Sequence, residues 1–246
     1  MSSTRAATSG MVACDVVGTV RTYKTKIASV APTGMREHYA TLGSGFLGVS
    51  LENDEFGPAK LQSMIRWLDR KFTRTAVLIG DSIHRITLET VRGLPEPQAL
   101  NTAMRMGDDV VATIDGMSAA GDTPILRCSE IQTRPDYARA FQQLTQLFDA
   151  DDAFRRSVLG FSERFQRRNG VPGDAANLDW KVRRSCEYFL EEFAVFACLV
   201  SDGFRVMAYP GAFSTLTEIA HGEHGGVPSD LKDLVVVSLD LKGTGS

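Results

Sequence analysis

The sequence predicts an α/β domain whose sheet is mostly parallel and covered by helices on both faces. Short apolar runs of strand length alternate along the chain with long helical patterns, which is typical of β-α-β units. The runs are continuously apolar, as expected of strands that are buried on both faces. The 246 residues contain no internal repeat and no linker, so we expect a single domain.

The strand predictions rest on apolar runs that end at a glycine or a polar residue. Residues 22–31 alternate in part between polar and apolar side chains, and residues 45–49 are a short apolar run flanked by glycine. Further strands are predicted at residues 76–81, 124–128 and 204–209. Residues 234–239 form either a last strand or a buried tail.

The helix predictions rest on apolar residues at helical spacing. Pro58 begins the first helix, since proline is favoured in a first turn, and Leu61, Ile65, Leu68 and Phe72 follow on one face. Further helices are predicted at about residues 96–117, 135–148, 151–167 and 177–200.

The composition is that of a soluble globular protein. A net charge of −3 and 43% hydrophobic residues are ordinary, and the overall charge does not call for a nucleic-acid partner. No apolar segment is long enough for a signal peptide or a membrane span, so we expect a cytoplasmic protein without a membrane partner. Residues 1–20 are mostly small or polar and are predicted to be poorly ordered, which leaves residues 21–246 as the domain.

The sequence lacks the signatures of the common metal and nucleotide sites. The four cysteines form no C-x-x-C pair and are predicted to be reduced core residues. His221 and His224 lie in a glycine-rich loop without cysteine, so we expect both to be solvated rather than metal ligands. There is no G-x-G-x-x-G and no Walker A segment. We therefore predict neither a metal nor a cofactor.

Ser50 is the first candidate for a working residue. It follows the strand at 45–49 and precedes the helix at Pro58, and a turn of this kind exposes a hydroxyl. Glu52 stands two residues later, where the nucleophile elbow of α/β-hydrolases requires glycine, so the segment is not such an elbow. Ser50, Asp81 and Tyr209 all fall at the carboxyl ends of predicted strands, where parallel sheets carry their working residues.

Tyr188 and Glu192 are the second candidate pair. They lie four residues apart and share one face of the helix predicted at 177–200. The helix is apolar nearly all round in this half, and a carboxylate at the edge of a buried stripe is costly unless it is paired or functional. Burial would raise its pKa toward the range that suits proton transfer. Glu187 and Glu191 are interpreted as ordinary solvated charges.

Basic residues cluster on the two helices that flank residues 169–177. In an acidic protein this cluster forms a local positive surface that can hold phosphates. We identify no aromatic residues interleaved with these cations. We therefore expect contacts to the backbone and overall shape of a nucleic acid rather than sequence-specific contacts to its bases. Its members are Arg155, Arg156, Arg164, Arg167, Arg168, Lys181, Arg183 and Arg184.

Three segments together resemble the cyclodipeptide synthases. That family carries a G-[VI]-S segment after a strand, a Y-x-x-x-E helix and a later Tyr followed by Gln or Pro; here these are 48–50, Tyr188 with Glu192, and Tyr209 with Pro210. The Tyr-Pro pair is similar to the subgroup named for that dipeptide, whereas Asn53 is more similar to the other subgroup.

The resemblance implies a fold, a reaction and roles for residues. The fold is Rossmann-like, similar to the catalytic domain of class I aminoacyl-tRNA synthetases, and the enzyme is a monomer that takes two aminoacyl-tRNAs and needs no ATP. Ser50 becomes aminoacylated, Tyr188 and Glu192 hold the α-amino group, and Tyr209 relays a proton as the dipeptide cyclises. The first amino-acid pocket is lined by Phe46, Gly48, Val77, Ile79, Val195, Phe196 and Met207, and the substrate pocket as a whole also includes Asn53 and Pro210.

Two other functions stay open at this point. The chain could be a non-catalytic Rossmann-like module that binds tRNA or a nucleotide, with Ser50 as a turn residue. It could also be a serine hydrolase that uses Ser50 with His84, although no partner spacing supports that pair and His84 is expected in an exposed loop.

Overall fold

The computed structural model describes residues 22–117, 123–169, 177–211 and 214–244. Within these ranges the strands are β1 (Thr22–Ala31), β2 (Ser44–Val49), β3 (Arg74–Ile79), β4 (Ile125–Arg127), β5 (Val206–Pro210) and β6 (Val235–Thr244). The helices are α1 (Pro58–Lys71), α2 (Arg85–Arg92), α3 (Glu96–Asp115), α4 (Cys128–Ile131), α5 (Pro135–Ala150), α6 (Asp152–Asn169), α7 (Leu178–Ser201), α8 (Ser214–Ala220) and α9 (Ser229–Lys232).

The strands of the described ranges form one sheet in the order β1-β6-β5-β2-β3-β4. β1 runs antiparallel to β6, and the other neighbours are parallel. The chain moves from β2 outward through β3 to β4 and then returns to β5 on the other side of β2. This reversal of strand order places the carboxyl ends of β2 and β5 side by side, the position at which parallel sheets bind ligands.

Helices cover both faces of the sheet and create two cores. On one face the side chains of Phe46, Ala76 and Leu78 pack with helices α5, α6 and α7. On the other face Leu47, Val77 and related strand residues pack with α1 and the end of α3. Successive side chains of a strand point to opposite faces, so each strand feeds both cores. The predicted fold class, a single α/β domain with a mostly parallel sheet, is confirmed.

Helix α7 is the central element of the first core. Every residue from Phe189 to Val200 is buried, which matches a helix that is apolar nearly all round. Its aromatic side chains pack closely, with the Phe161 and Phe189 rings 4.6 Å apart and the Phe46 and Phe196 rings 5.7 Å apart. Side chains carried by α7 are therefore held in fixed positions.

The structure adds two points to the predicted elements. Residues 82–95 had no predicted element, and they contain α2, which ends at Gly93 in a left-handed conformation. The helix is only eight residues long and includes two threonines, so its periodicity is weak. Residues 235–239 belong to β6, a strand that pairs in parallel with β5 and is not a loose tail.

Histidine and cysteine positions were predicted only in part. His224 was expected to be solvated, but it is buried: its Nε2 lies 2.9 Å from the Glu218 carboxylate and its ring packs on Phe154. The acidic partner lies on α8, six residues earlier in the sequence. Cys128, Cys186 and Cys198 are buried free thiols, and Cys14 lies outside the described residues.

The limits of the domain stay a prediction, because residues 1–20 lie outside the described ranges. None of the helices in those ranges is long and apolar enough to cross a lipid bilayer.

Candidate active site

Ser50 and Tyr209 meet at the carboxyl ends of two adjacent strands. β2 and β5 are parallel neighbours, with Phe46 opposite Met207 and Leu47 opposite Ala208. The Ser50 Oγ lies 3.0 Å from the Tyr209 hydroxyl, and the Asn53 side-chain amide donates to the same hydroxyl at 3.3 Å. Burial raises the pKa of Tyr209, and the hydrogen bond with Ser50 partly offsets that rise.

Tyr188 and Glu192 bring a phenol and a carboxyl to the same place from α7. Glu192 is 6% exposed, and its Oε2 is buried without a hydrogen-bond partner among the residues that the structure describes. Burial raises its pKa to about 8. Burial also raises the pKa of Tyr188, the Glu192 carboxyl raises it further, and a hydrogen bond with Ser50 acts in the opposite direction. A buried carboxyl oxygen without a partner is costly, so a ligand that donates a hydrogen bond there is favoured.

The preceding residue, Glu191, carries a structural carboxylate that differs from Glu192 in its hydrogen-bond partners. It was expected to be solvated, but it is buried and receives hydrogen bonds from both terminal nitrogens of Arg85, at 2.9 and 2.5 Å, and from Gln132 at 2.9 Å. The expectation was wrong because α7 is enclosed on both sides by α2 and α4–α5 at this level. Glu191 has its partners within the fold, whereas no residue of the described ranges donates a hydrogen bond to the Glu192 Oε2.

All four predicted catalytic residues line one cavity of about 1010 Å³. Ser50 and Tyr209 contribute from the strand ends, and Tyr188 and Glu192 contribute from α7. Asn53 and Pro210 also line it. The cavity can therefore admit a molecule of substrate size and present it to a hydroxyl, two phenols and a carboxyl at once.

His84 also lines the cavity, but not as the partner of Ser50. It was expected in an exposed loop; instead it is 4% exposed and directly precedes α2. Its Nε2 lies 3.2 Å from the Glu52 carboxylate, and burial lowers its pKa. Asp81 is held by Arg127 and Ser129. These contacts oppose a Ser-His-Asp arrangement and with it the hydrolase alternative.

Comparison with protein-family models gives one match, to the cyclodipeptide synthase model over residues 36–200. The match covers about two thirds of the chain and includes Ser50, Tyr188 and Glu192. The chain belongs to the cyclodipeptide synthase family. No curated protein matches its sequence.

Solved structures of cyclodipeptide synthases share the fold at low sequence identity. A cyclodipeptide synthase from Fluoribacter dumoffii is similar with a TM-score of 0.74 and 18% identity, over 91% of this chain and 100% of that chain. A Mycobacterium tuberculosis protein, described as showing that cyclodipeptide synthetases are related to type I tRNA synthetases, gives 0.66 and 17% over 93% and 99%. A synthase from Candidatus Glomeribacter gigasporarum bound to Phe-tRNAPhe gives 0.58 and 17% over 82% and 89%.

Part of the predicted first pocket lies on the Ser50 side of the sheet. Phe46, Val195, Phe196 and Met207 belong to the core formed with α7. A Cβ added to Gly48 would lie 3.4 Å from the Met207 side chain and 3.6 Å from the Tyr209 ring. The residues that line the cavity do not include these five predicted pocket residues.

Val77 and Ile79 are not brought to the site. Their side chains lie in the other core, with α1 and α3. The register pairs Phe46 with Ala76 and Gly48 with Leu78, so alternation directs Ala76 and Leu78 to the face of Ser50. The assignment on β3 was one residue out of register, and such a slip moves a side chain to the opposite face.

The basic residues predicted to bind tRNA differ in where they lie. Arg164 and Arg168 line the cavity together with Phe161 and Phe165, at spacings of three and four residues on one face of α6. Arg156, Arg167 and Arg183 are exposed. Lys181 is half-buried.

Arg155 and Arg184 are already engaged within the fold. Arg155 pairs with Asp152 and also donates to the backbone carbonyl of Phe148. Arg184 pairs with the Glu89 and Glu187 carboxylates. Their charges are largely compensated, which sequence clustering alone does not reveal.

One residue of the basic surface was missed. Trp180, directly before Lys181 on α7, is 52% exposed. The sequence interpretation found no aromatic residue in the cluster, although an indole beside cations is a surface on which a nucleic-acid base can stack. The adjacency of Trp180 and Lys181 was the available signal.

Proposed function

We propose that the protein is a tRNA-dependent cyclodipeptide synthase, an aminoacyltransferase that makes a 2,5-diketopiperazine from two aminoacyl-tRNAs. The observation that carries the proposal is the 3.0 Å contact between Ser50 and Tyr209 in a cavity shared with the buried carboxyl of Glu192. The family match and the resemblance of a tRNA-bound family structure support it.

In the first step the Ser50 oxygen attacks the ester carbonyl of one aminoacyl-tRNA. A new ester forms on Ser50, the bond to the tRNA ribose oxygen breaks, and that oxygen takes a proton as the tRNA leaves. Covalent catalysis of this kind divides one transfer into easier steps. It gives ping-pong kinetics, since the first tRNA departs before the second aminoacyl group is used.

Tyr188 and Glu192 are proposed to hold the α-amino group of the Ser50-bound residue. An amino group can donate to the unpartnered Glu192 Oε2, and an ammonium there would favour the ionised carboxylate and oppose the effect of burial on its pKa. Glu192 can then accept a proton as the amine becomes a nucleophile toward the second aminoacyl-tRNA.

In the second attack the amine forms a peptide bond with the second aminoacyl carbonyl, the ester bond to the second tRNA breaks, and its ribose oxygen takes a proton. The product is a dipeptide esterified to Ser50, whose free amine then closes the ring. The amine forms the second peptide bond, the ester bond to Ser50 breaks, and the Ser50 oxygen regains a proton. The Tyr209 hydroxyl lies 3.0 Å from that oxygen and can donate a proton to it. We therefore assign Tyr209 the relay.

The tRNA substrates are proposed to contact the cations of α6 and the start of α7. Arg164 and Arg168 lie at the cavity, where the acceptor end must enter, and the exposed arginines extend the surface outward. Phosphate contacts of this kind give affinity and register without reading sequence.

Finer attributes of the protein stay predictions. They are membership of the Tyr-Pro subgroup, which Tyr209 with Pro210 favours and Asn53 does not; independence of cofactors and metals; a monomeric state; and a cytoplasmic location.

The test is to mix the purified protein with a pool of charged tRNAs and measure both its intact mass and the small molecules released. We expect an aminoacyl adduct and a cyclic dipeptide. Ser50→Ala should abolish both, while Ser29→Ala, on the exposed face of β1, should abolish neither. An unmodified wild-type protein without product would favour the non-catalytic binding module.

A further inference from the structure

Glu52 has an unusual backbone conformation next to the proposed nucleophile. Its φ angle is +56°, and it is the sole non-glycine residue with positive φ in the ranges that the structure describes. Left-handed backbone is unfavourable for a residue with a Cβ, and glutamate lacks the short side chain that lets Asn and Asp tolerate it. Such a conformation persists only where the surroundings enforce it.

The surroundings of Glu52 include two specific partners for its carboxylate. Its Oε2 lies 3.2 Å from the Nε2 of His84, and its Oε1 pairs with the Arg92 guanidinium. His84 directly precedes α2 and Arg92 is the last residue of that helix. Both ends of one helix therefore reach back to a single carboxylate.

The histidine is well placed to act as a fixed partner. It is buried, and its backbone N–H donates to the Asp81 carbonyl at 3.0 Å. Burial lowers its pKa, so the neutral ring can donate from Nε2 to the carboxylate. Arg92 is about half exposed and supplies the opposite charge.

The turn that contains Glu52 delivers two side chains to one atom. Ser50 precedes Glu52 and Asn53 follows it, and both contact the Tyr209 hydroxyl, at 3.0 and 3.3 Å. The Asn53 Oδ1 also accepts from the Glu55 backbone N–H at 3.0 Å. The bend at Glu52 thus determines how Ser50 and Asn53 converge on Tyr209.

We propose that Glu52 is a positioning residue: His84 and Arg92 clamp its carboxylate and so hold the 50–53 turn in the left-handed bend that places Ser50 on Tyr209. The catalytic consequence rests on the proposed function, whereas the clamp itself does not. The site of action is the turn, and Glu52 needs no contact with substrate.

The kinetic test compares Glu52→Ala, Glu52→Gln and Glu52→Gly in single-turnover formation of the Ser50 adduct. Misplacement of a nucleophile by about 1 Å can cost on the order of 100-fold, so we expect Glu52→Ala to slow adduct formation by about ten-fold or more at saturating tRNA. Glu52→Gln keeps an acceptor and should retain part of the rate. Glu52→Gly should be faster than Glu52→Ala, because glycine adopts positive φ without strain.

The clamp also predicts coupling between its members. Arg92→Ala should slow adduct formation in the wild-type background and add little to Glu52→Ala, since that variant already lacks the interaction. Glu130→Gln, an exposed carboxyl outside the cavity, is the matched control. If the effect of Arg92→Ala appears as weaker tRNA binding and vanishes at saturating tRNA, Arg92 contacts substrate directly and the proposal is wrong.

Hydrogen exchange separates this proposal from the proposed function. Amides of residues 50–56 should exchange faster in Glu52→Ala and Arg92→Ala than in wild type or Glu130→Gln, with the rest of the chain unchanged. Equal exchange in all variants would overturn the clamp, whether or not the protein forms an adduct. Faster exchange with a normal adduct rate would overturn the positioning role, and the absence of any wild-type adduct would overturn the proposed function alone.

Discussion

The Oγ of Ser50 lies 3.0 Å from the phenol oxygen of Tyr209, although the two residues are 159 positions apart in the chain. The contact follows from sheet topology: β2 and β5 are parallel neighbours, and each residue stands at the carboxyl end of its strand. Helix α7 adds the phenol of Tyr188 and the carboxyl of Glu192. Together these side chains can bind an amine and transfer protons beside the Ser50 hydroxyl.

Tyr209→Phe is predicted to separate the steps of the reaction. The ring can still pack on Phe56, but the variant lacks the hydroxyl that lies against Ser50. We expect the Ser50 adduct still to form while release of the cyclic dipeptide slows by about 100-fold or more, the usual scale for removal of a proton-transfer group. Time-resolved intact mass should show a dipeptide esterified to the protein.

Tyr39→Phe is the matched control for that experiment, because Tyr39 is a buried tyrosine that packs in the other core. It should leave both steps unchanged. A Tyr209→Phe protein that releases product at the wild-type rate would exclude Tyr209 from proton transfer.

Glu192→Gln is predicted to change how stability depends on pH. Burial raises the pKa of Glu192 from 4.5 to about 8, so between these values the folded protein holds a proton that the unfolded chain has released. The free energy of unfolding of the wild type therefore falls as pH rises through this window. Glutamine has no such proton, so the free energy of unfolding of Glu192→Gln lacks this fall. As pH rises through the window, the stability of the variant relative to the wild type should therefore increase, by an amount on the order of 3–5 kcal/mol.

Urea unfolding at pH 5 and pH 8.5 measures that difference, and other titrating groups cancel because they are common to both proteins. Glu130→Gln, at an exposed position, should show no such trend. Parallel pH curves for Glu192→Gln and wild type would mean that the carboxyl is ionised in the folded state.

The sequence allowed the strand ends to be predicted better than the partners of individual charges. Ser50 and Tyr209 could be placed at one edge of the sheet because buried parallel strands are recognisable as apolar runs. Glu191 and Glu192 are adjacent on a helix, and whether either has a partner depends on Arg85, which comes more than a hundred residues earlier. Helical periodicity carries no information about that contact.

The failures on α2 and β3 have a similar origin. His84 was expected to be exposed because a short, threonine-containing helix gives a weak periodic signal, and its partner Glu52 lies on a different element. The resemblance implied that Val77 and Ile79 line the pocket, and a continuously apolar strand shows no alternation against which to check this. Only the observed pairing with β2 fixes which residues share the face of Ser50.

Leu78→Ala and Val77→Ala form a pair that tests the corrected pocket. Both residues are buried on β3, but they face opposite cores. Each truncation should cost stability, roughly 2–5 kcal/mol for Leu78, with a smaller loss for Val77. We expect only Leu78→Ala to change which amino acid is loaded on Ser50, toward larger side chains, as measured by the mass of the adduct from a mixed pool of charged tRNAs.

A change in the loaded amino acid in both variants would mean that selectivity responds to general loosening of the sheet. A change in neither would place the first pocket elsewhere than on the face shared by Gly48 and Leu78.

Neutralising Arg164 and Arg168 together, as Arg164→Gln with Arg168→Gln, is predicted to weaken tRNA binding and its dependence on salt. The logarithm of the affinity falls with the logarithm of the salt concentration, and removing one phosphate–arginine ion pair should make this slope shallower by about 0.7–0.9. The double variant should therefore have a slope that is shallower by up to twice that amount. Arg205→Gln is the matched control. Arg205 directly precedes β5, so it lies at the amino ends of the strands, away from the cavity, and it pairs with Asp233. Filter binding of one charged tRNA across a salt series measures both quantities, and equal slopes in all three proteins would remove α6 from the proposed tRNA surface.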